Sequence, residues 1–186
     1  RASIAAPTAL VAGLVAEVRG LGPDAISLMM IPRPLTFAIA GPVAGMLAGR
    51  ISPRTAIASG MAALAISMAL FALIAPDPTT WLVVTALTLS GIGVGASLPR
   101  VSASVANSVE DVDLGVAGAT QQLLAQIGTT VGINLLETIQ VATLGGAGLA
   151  GSYRIAYGVG AGVSAVGMVV ALRLRSTAVP PPAAAG

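Results

Sequence analysis

Six apolar runs make up almost the whole of this chain, at about residues 3–18, 25–48, 55–75, 80–106, 114–143 and 155–172. A bilayer crossing needs about 20 predominantly apolar residues, with a range of about 17–25. Five of the runs reach that length, and the first falls slightly short. Lipid offers no partners to backbone N–H and C=O groups, so a crossing segment must satisfy them as a helix or as part of a closed barrel. The alternating pattern of a membrane β-strand is absent. The expected fold class is therefore all-α, a polytopic membrane bundle of about six transmembrane helices.

Composition supports the same class. The 186 residues are 55% hydrophobic and 9% charged, with a mean hydropathy of +0.93. Soluble domains are about 25% charged, and a chain this poor in charge cannot cover a water-facing surface. All nine basic residues are Arg, spread singly along the chain, which is no footprint for a nucleic acid. There is no Cys and no His, so disulfides, thiol nucleophiles, imidazole acid–base chemistry and the usual transition-metal sites are excluded.

Catalytic motifs are likewise missing. Asp24, Asp77, Asp111 and Asp113 all fall in loops or at helix ends, so no aspartyl pair sits inside a helix. Gly91–Ser97 reads GIGVGAS, but no strand precedes it and the chain has no Lys to complete a phosphate loop. An enzyme is not expected, and no catalytic residue, metal site or cofactor is assigned. The opening RASIAAPTAL leads into a short run with one preceding Arg, which reads as an incomplete first span rather than a signal peptide.

Turn chemistry separates the runs: RGLGPD, GRISPR, APDPTT, NSVEDVD and LGGAGLAGSY. The bundle is expected over 1–175. Residues 176–186, STAVPPPAAAG, are expected to form a disordered Pro/Ala-rich tail. Six spans place both ends of the segment on one side. That side holds Arg1, Arg50, Arg54, Arg100, Arg173 and Arg175; the other holds Arg19 and Arg154, with Arg33 just inside the bilayer. An excess of arginine marks the cytoplasmic side, so both termini are expected there. Trp81, Tyr153 and Tyr157 fall at the opposite interface, where an aromatic belt belongs.

Glycines recur at a spacing of four: Gly41, Gly45 and Gly49; Gly91 and Gly95; Gly128 and Gly132; Gly158 and Gly162. Such faces let helix backbones approach closely in lipid. Pro32, Pro34 and Pro42 each remove a backbone donor within or near the second run, and Pro34 and Pro42 are expected to bend it. Bent or broken helices also build transport sites.

Two charges lie inside apolar runs. Arg33 either snorkels to the interface or lines a cavity. Glu137 ends a polar stripe of Gln122, Gln126, Thr129, Thr130 and Asn134, which shares about half the helix circumference with Gly115 and Ala119. That face belongs toward the bundle interior or water, where desolvation would raise the pKa of Glu137 and make it a candidate proton carrier. The alternative is a solvated Glu137 at the interface. Arg33, Gln122, Gln126, Thr130, Asn134 and Glu137 are thus the candidates for a transport path. Arg100 is expected to pair with Glu110, Asp111 or Asp113.

The stretch from Gly45 to Arg54, GMLAGRISPR, resembles the GxLADRxGxR loop of the major facilitator superfamily. Gly45, Leu47, Ala48, Arg50 and Arg54 match; Gly49 replaces the Asp and Ser52 the second Gly. IPRPLTFAIAGPVAG, LSGIGVGASLPRVSASVANSV and GVAGATQQLLAQIGTTVGINLLETI resemble the C-terminal half of its drug:proton antiporter branch, the EmrB/QacA-like group. Ala125 stands where that branch often has Arg. The resemblance implies a half-bundle of two inverted three-helix repeats in the plasma (inner) membrane. It implies proton-driven efflux of a small, amphipathic substrate, with the lipid bilayer and the missing N-terminal half, in the same chain or a second copy, as partners. The competing expectation is a non-transporting or dimerising six-helix membrane fragment packed through its GxxxG faces.

Overall fold

The computed structural model describes residues 23–47, 51–75 and 79–173. The first apolar run, the motif residues Gly49 and Arg50, and the Pro/Ala-rich tail lie outside them. The described residues form α1 (Pro23–Met30), α2 (Pro32–Met46), α3 (Pro53–Ile74), α4 (Thr80–Ala106), a short 3-10 turn (Asp111–Asp113) and α5 (Leu114–Arg173). No strand occurs among them.

The second apolar run is two helices. Ile31 is a turn between α1 and α2, because Pro32 and Pro34 cannot donate to the carbonyls one turn earlier. Pro32 then serves as the first residue of α2, a position whose N–H has no helical partner anyway. Pro42 lies inside α2. The third and fourth runs emerge nearly as read. Ser52 starts α3 by accepting from the Thr55 N–H at 3.2 Å, an N-cap bond that satisfies an otherwise orphaned donor.

α5 has 60 residues, about 90 Å if straight, and a bilayer core is only about 30 Å thick. It folds back on itself at Gly148, whose φ of 70° and ψ of 177° lie in a region open essentially to glycine. The Leu136 side chain comes within 3.7 Å of the place a Cβ would take on Gly160; along a straight helix those residues would be about 36 Å apart. The ten-residue loop expected around Gly145–Gly151 is thus a correction. The chain stays helical up to and beyond one glycine, so its backbone groups stay satisfied to the turn.

α4 is the centre of the bundle. Two residues along a helix turn it by about 200°, so Gly93 faces away from Gly91 and Gly95. A Cβ on Gly95 would stand 2.7 Å from the Phe37 carbonyl of α2, and one on Gly91 would run into Thr36 and the Arg33 carbonyl. A Cβ on Gly93 would stand 2.8 Å from the Gly60 carbonyl of α3. α4 is therefore gripped backbone to backbone by α2 on one side and α3 on the other. The Ser67 hydroxyl of α3 donates to the Ala86 carbonyl of α4 at 2.7 Å, and Thr36 reaches the Thr88 carbonyl at 3.2 Å.

The apolar core gathers at the end of the bundle that holds Gly148. It unites Met29, Met68, Phe71, Ile74, Val83, Leu87, Tyr153 and Tyr157. Tyr157 stacks on Phe71 at 5.1 Å between ring centroids and on Tyr153 at 6.5 Å. Tyr153 is 4% exposed and Tyr157 0%, against 66% for Trp81. The expected aromatic belt is corrected accordingly: Trp81 faces outward, whereas both tyrosines are core. Their spacing of four puts them on one face of α5, and that face turns toward α3 and α4. At the opposite end, which holds Arg173, a smaller cluster joins Ile57, Ala58 and Ala171.

Candidate functional site

The first arm of α5, residues 114–147, contributes no buried residue. Its half-buried positions include Thr129, Gly132, Ile133, Leu136, Ile139, Gln140 and Thr143, which recur at helical spacing and form the face on the bundle. Gln122, Gln126, Thr130, Asn134 and Glu137 are all exposed. At about 100° per residue they lie beside that face, on a side of the arm that the described residues leave uncovered. Asn134 donates to the Thr130 carbonyl at 2.7 Å and Thr129 to the Ala125 carbonyl at 2.8 Å, so part of the stripe is tied to its own helix. Glu137 borders a shallow depression with Thr138, Val141 and Ala142.

Near the Arg173 end, a cleft of about 260 Å³ opens between the last turns of α4 and the first turns of α5. Ser102, Val105 and Ala106 line one wall; Ala117, Gly118, Gln121 and Gln122 line the other. The Gln121 amide donates to the Ser102 hydroxyl at 2.9 Å across it. Complete small-molecule pockets run about 300–1,000 Å³, so this cleft has the size of a partial one. Gln122 thus joins the stripe to the cleft. Gln121 and Ser102 were not legible as site residues, since pairing them needs the approach of α4 to α5; the adjacent glutamines were the one local signal.

The remaining candidates separate. Arg33 is half-buried on the first turn of α2, far along the chain from the stripe, and its carbonyl meets α4 at Gly91. Arg54 is exposed on the first turn of α3, and Gly45 is exposed near the end of α2. Of the glycines expected to pack helices, Gly91 and Gly95 do so closely, and Gly41 makes ordinary contact with the Gly95 carbonyl at 3.8 Å. Gly45, Gly128, Gly132, Gly158 and Gly162 have nothing within 4 Å of a Cβ position among the described residues. Gly60 and Gly93 pack backbone to backbone and escaped the sequence pattern, because neither has a glycine partner at a spacing of four.

Arg100 corrects another expectation. It does not reach Glu110, Asp111 or Asp113. It is buried and donates from Nη2 to the Ala44 carbonyl of α2 at 2.8 Å. That carbonyl belongs to the last turn of α2, where helix carbonyls lack helical partners and the helix dipole favours a cation.

Among the described residues, four helical segments are long and apolar enough to cross a membrane, the last of them 63 residues long and folded back at Gly148. Residues 2–186 match the family described as Major Facilitator Superfamily. The chain belongs to the Major Facilitator Superfamily. It is therefore a multi-pass membrane protein of a transporter family rather than an enzyme family. Among curated relatives, Multidrug resistance protein Stp of Mycobacterium tuberculosis is 30% identical over 128 residues, 69% of this chain and 24% of Stp. Drug efflux pump JefA of the same organism is 32% identical over 131 residues, 70% of this chain and 26% of JefA. The aligned stretch thus spans about a quarter of either relative. No solved structure matches the chain.

Proposed function

We propose that this chain is the C-terminal half of a secondary active transporter that expels drugs or other small molecules by alternating access, driven by the proton gradient. The carrying observation is the exposed stripe of Gln122, Gln126, Thr130, Asn134 and Glu137 on a membrane helix. Lipid penalises such a face, and ionisable groups within membranes line paths or cavities. The stripe and the adjoining cleft are one wall of a path. The other wall comes from the rest of the transporter, in the same chain or a second copy. Stp and JefA, relatives named for multidrug resistance and drug efflux, support an exported, amphipathic cargo. The distribution of arginines supports an inner-membrane setting with both ends of this segment cytoplasmic.

Glu137→Gln in the full-length protein tests the reading. Efflux and its pH dependence are both expected to fall, with insertion unaffected. If both stay as in the parent, Glu137 carries no proton on the path. A second reading, a dimerising or non-transporting fragment, has one observation behind it: Gly128, Gly158 and Gly162 are exposed and have nothing within 4 Å of a Cβ position among the described residues, which leaves room for another helix. A stable homodimer without flux would favour it.

A further inference from the structure

Arg100 is 8% exposed, and a guanidinium brings five N–H donors with it. Nη2 reaches the Ala44 carbonyl, while Nε is enclosed and has no acceptor among the described residues. No carboxylate lies within ion-pair reach of Arg100 among the described residues. Glu110, Asp111 and Asp113 follow at the same end of the bundle, and all three are exposed. A buried charge without a counter-charge is strongly opposed, and a helix-end carbonyl offsets that only in part. Arg100 also stands directly after Pro99, which lies inside α4. Pro99 has no N–H to give the Gly95 carbonyl, so the helix ladder is weakened just where Arg100 begins its last turns.

We propose that Arg100 is a two-position latch. In this conformation its guanidinium holds the last turn of α2 on α4 and closes the seam begun at Gly91 and Gly95. In the second position the end of α4 swings at Pro99, and the guanidinium exchanges the Ala44 carbonyl for a carboxylate of the Glu110–Asp113 loop, releasing α2. The latch concerns two conformations of this chain and holds whatever the cargo. Arg100 acts through α2 and is a positioning residue.

The test uses full-length protein in lipid nanodiscs, otherwise free of cysteine, with spin labels at Met46→Cys and Val112→Cys. These sites are 82% and 91% exposed and report the separation of α2 from the acidic loop. Two distances are expected. Neutralising the loop with Glu110→Gln, Asp111→Asn and Asp113→Asn should shift the population toward the carbonyl-bound distance by about 1.4- to fivefold, the range of a solvent-exposed ion pair. In an Arg100→Gln background the same neutralisation should leave the ratio unchanged. If Arg100→Gln does not insert, Arg100→Lys carries the comparison: lysine keeps the charge but lacks the fork, and its response must be smaller than arginine's. A single distance in every variant, or an equal response to neutralisation with and without Arg100, overturns the latch.

Discussion

Replacing Gly95 by alanine probes the seam between α2 and α4. A Cβ there would stand 2.7 Å from the Phe37 carbonyl oxygen, 2.9 Å from the Ala40 Cβ and 3.1 Å from the Phe37 Cα. Two of these neighbours are backbone, so no side-chain rotation clears them. Carbon contacts are best at about 3.5–4.0 Å, and α2 must retreat by roughly half an ångström or more. That retreat also stretches the Thr36 bond to Thr88 and the Arg100 bond to Ala44. Overpacking of this kind costs about 1–3 kcal/mol. Alanine favours a helix over glycine by about 1 kcal/mol, so the raw change should fall between about neutral and about 2 kcal/mol of destabilisation. Gly158→Ala isolates the helix-propensity part, because nothing lies within 4 Å of its Cβ position. The difference between the two variants, about 1–3 kcal/mol, is then steric. Equilibrium unfolding of the full-length protein in mixed micelles, followed by far-ultraviolet circular dichroism, measures it. Adding Ala40→Gly removes one of the three neighbours and should recover only part of the loss. If Gly95→Ala and Gly158→Ala behave alike, α2 and α4 are not in backbone contact at Gly95, and the reasoning fails.

Tyr157→Phe should leave stability unchanged or raise it by about 1 kcal/mol, because the buried Tyr157 hydroxyl has no partner among the described residues and removing an unsatisfied polar group abolishes its desolvation penalty; a clear fall in the unfolding midpoint would reveal a hidden bond. Gly148→Ala should destabilise the fold by about 1–3 kcal/mol, since its φ of 70° and ψ of 177° exclude a Cβ without strain. The same unfolding assay detects that loss, and a neutral outcome would mean that the reversal of α5 does not use this backbone conformation.

Much of the architecture was legible in the residues. α4 was expected over 80–106 and runs Thr80–Ala106; α3 shifts by no more than two residues at either end. Those limits follow from composition, because Pro, Asp and Thr beside an apolar run end a helix locally. Gly91 and Gly95 were legible as a packing pair for the same reason. Gly128 and Gly132 share that spacing and yet have nothing within 4 Å of a Cβ position among the described residues. Spacing says that a helix can be approached, and only the placement of a neighbour says whether it is. The stripe on the first arm of α5 was legible as a face. Its junction with the cleft was not, because Gln121 and Ser102 are nineteen residues apart and meet only through the turn at 107–113.

By itself the sequence determined that this chain is a helical membrane protein, the bounds of the helices Pro53–Ile74 and Thr80–Ala106 to within two residues, and where the polar stripe lies. Insertion into lipid sums transfer free energies over each segment, and helix periodicity is local. The tertiary structure alone decided that Tyr153 and Tyr157 are core, that Arg100 holds α2 rather than the acidic loop, and that α5 reverses at one glycine. Each of those depends on which groups from distant segments arrive within a few ångströms, and no local pattern carries that information.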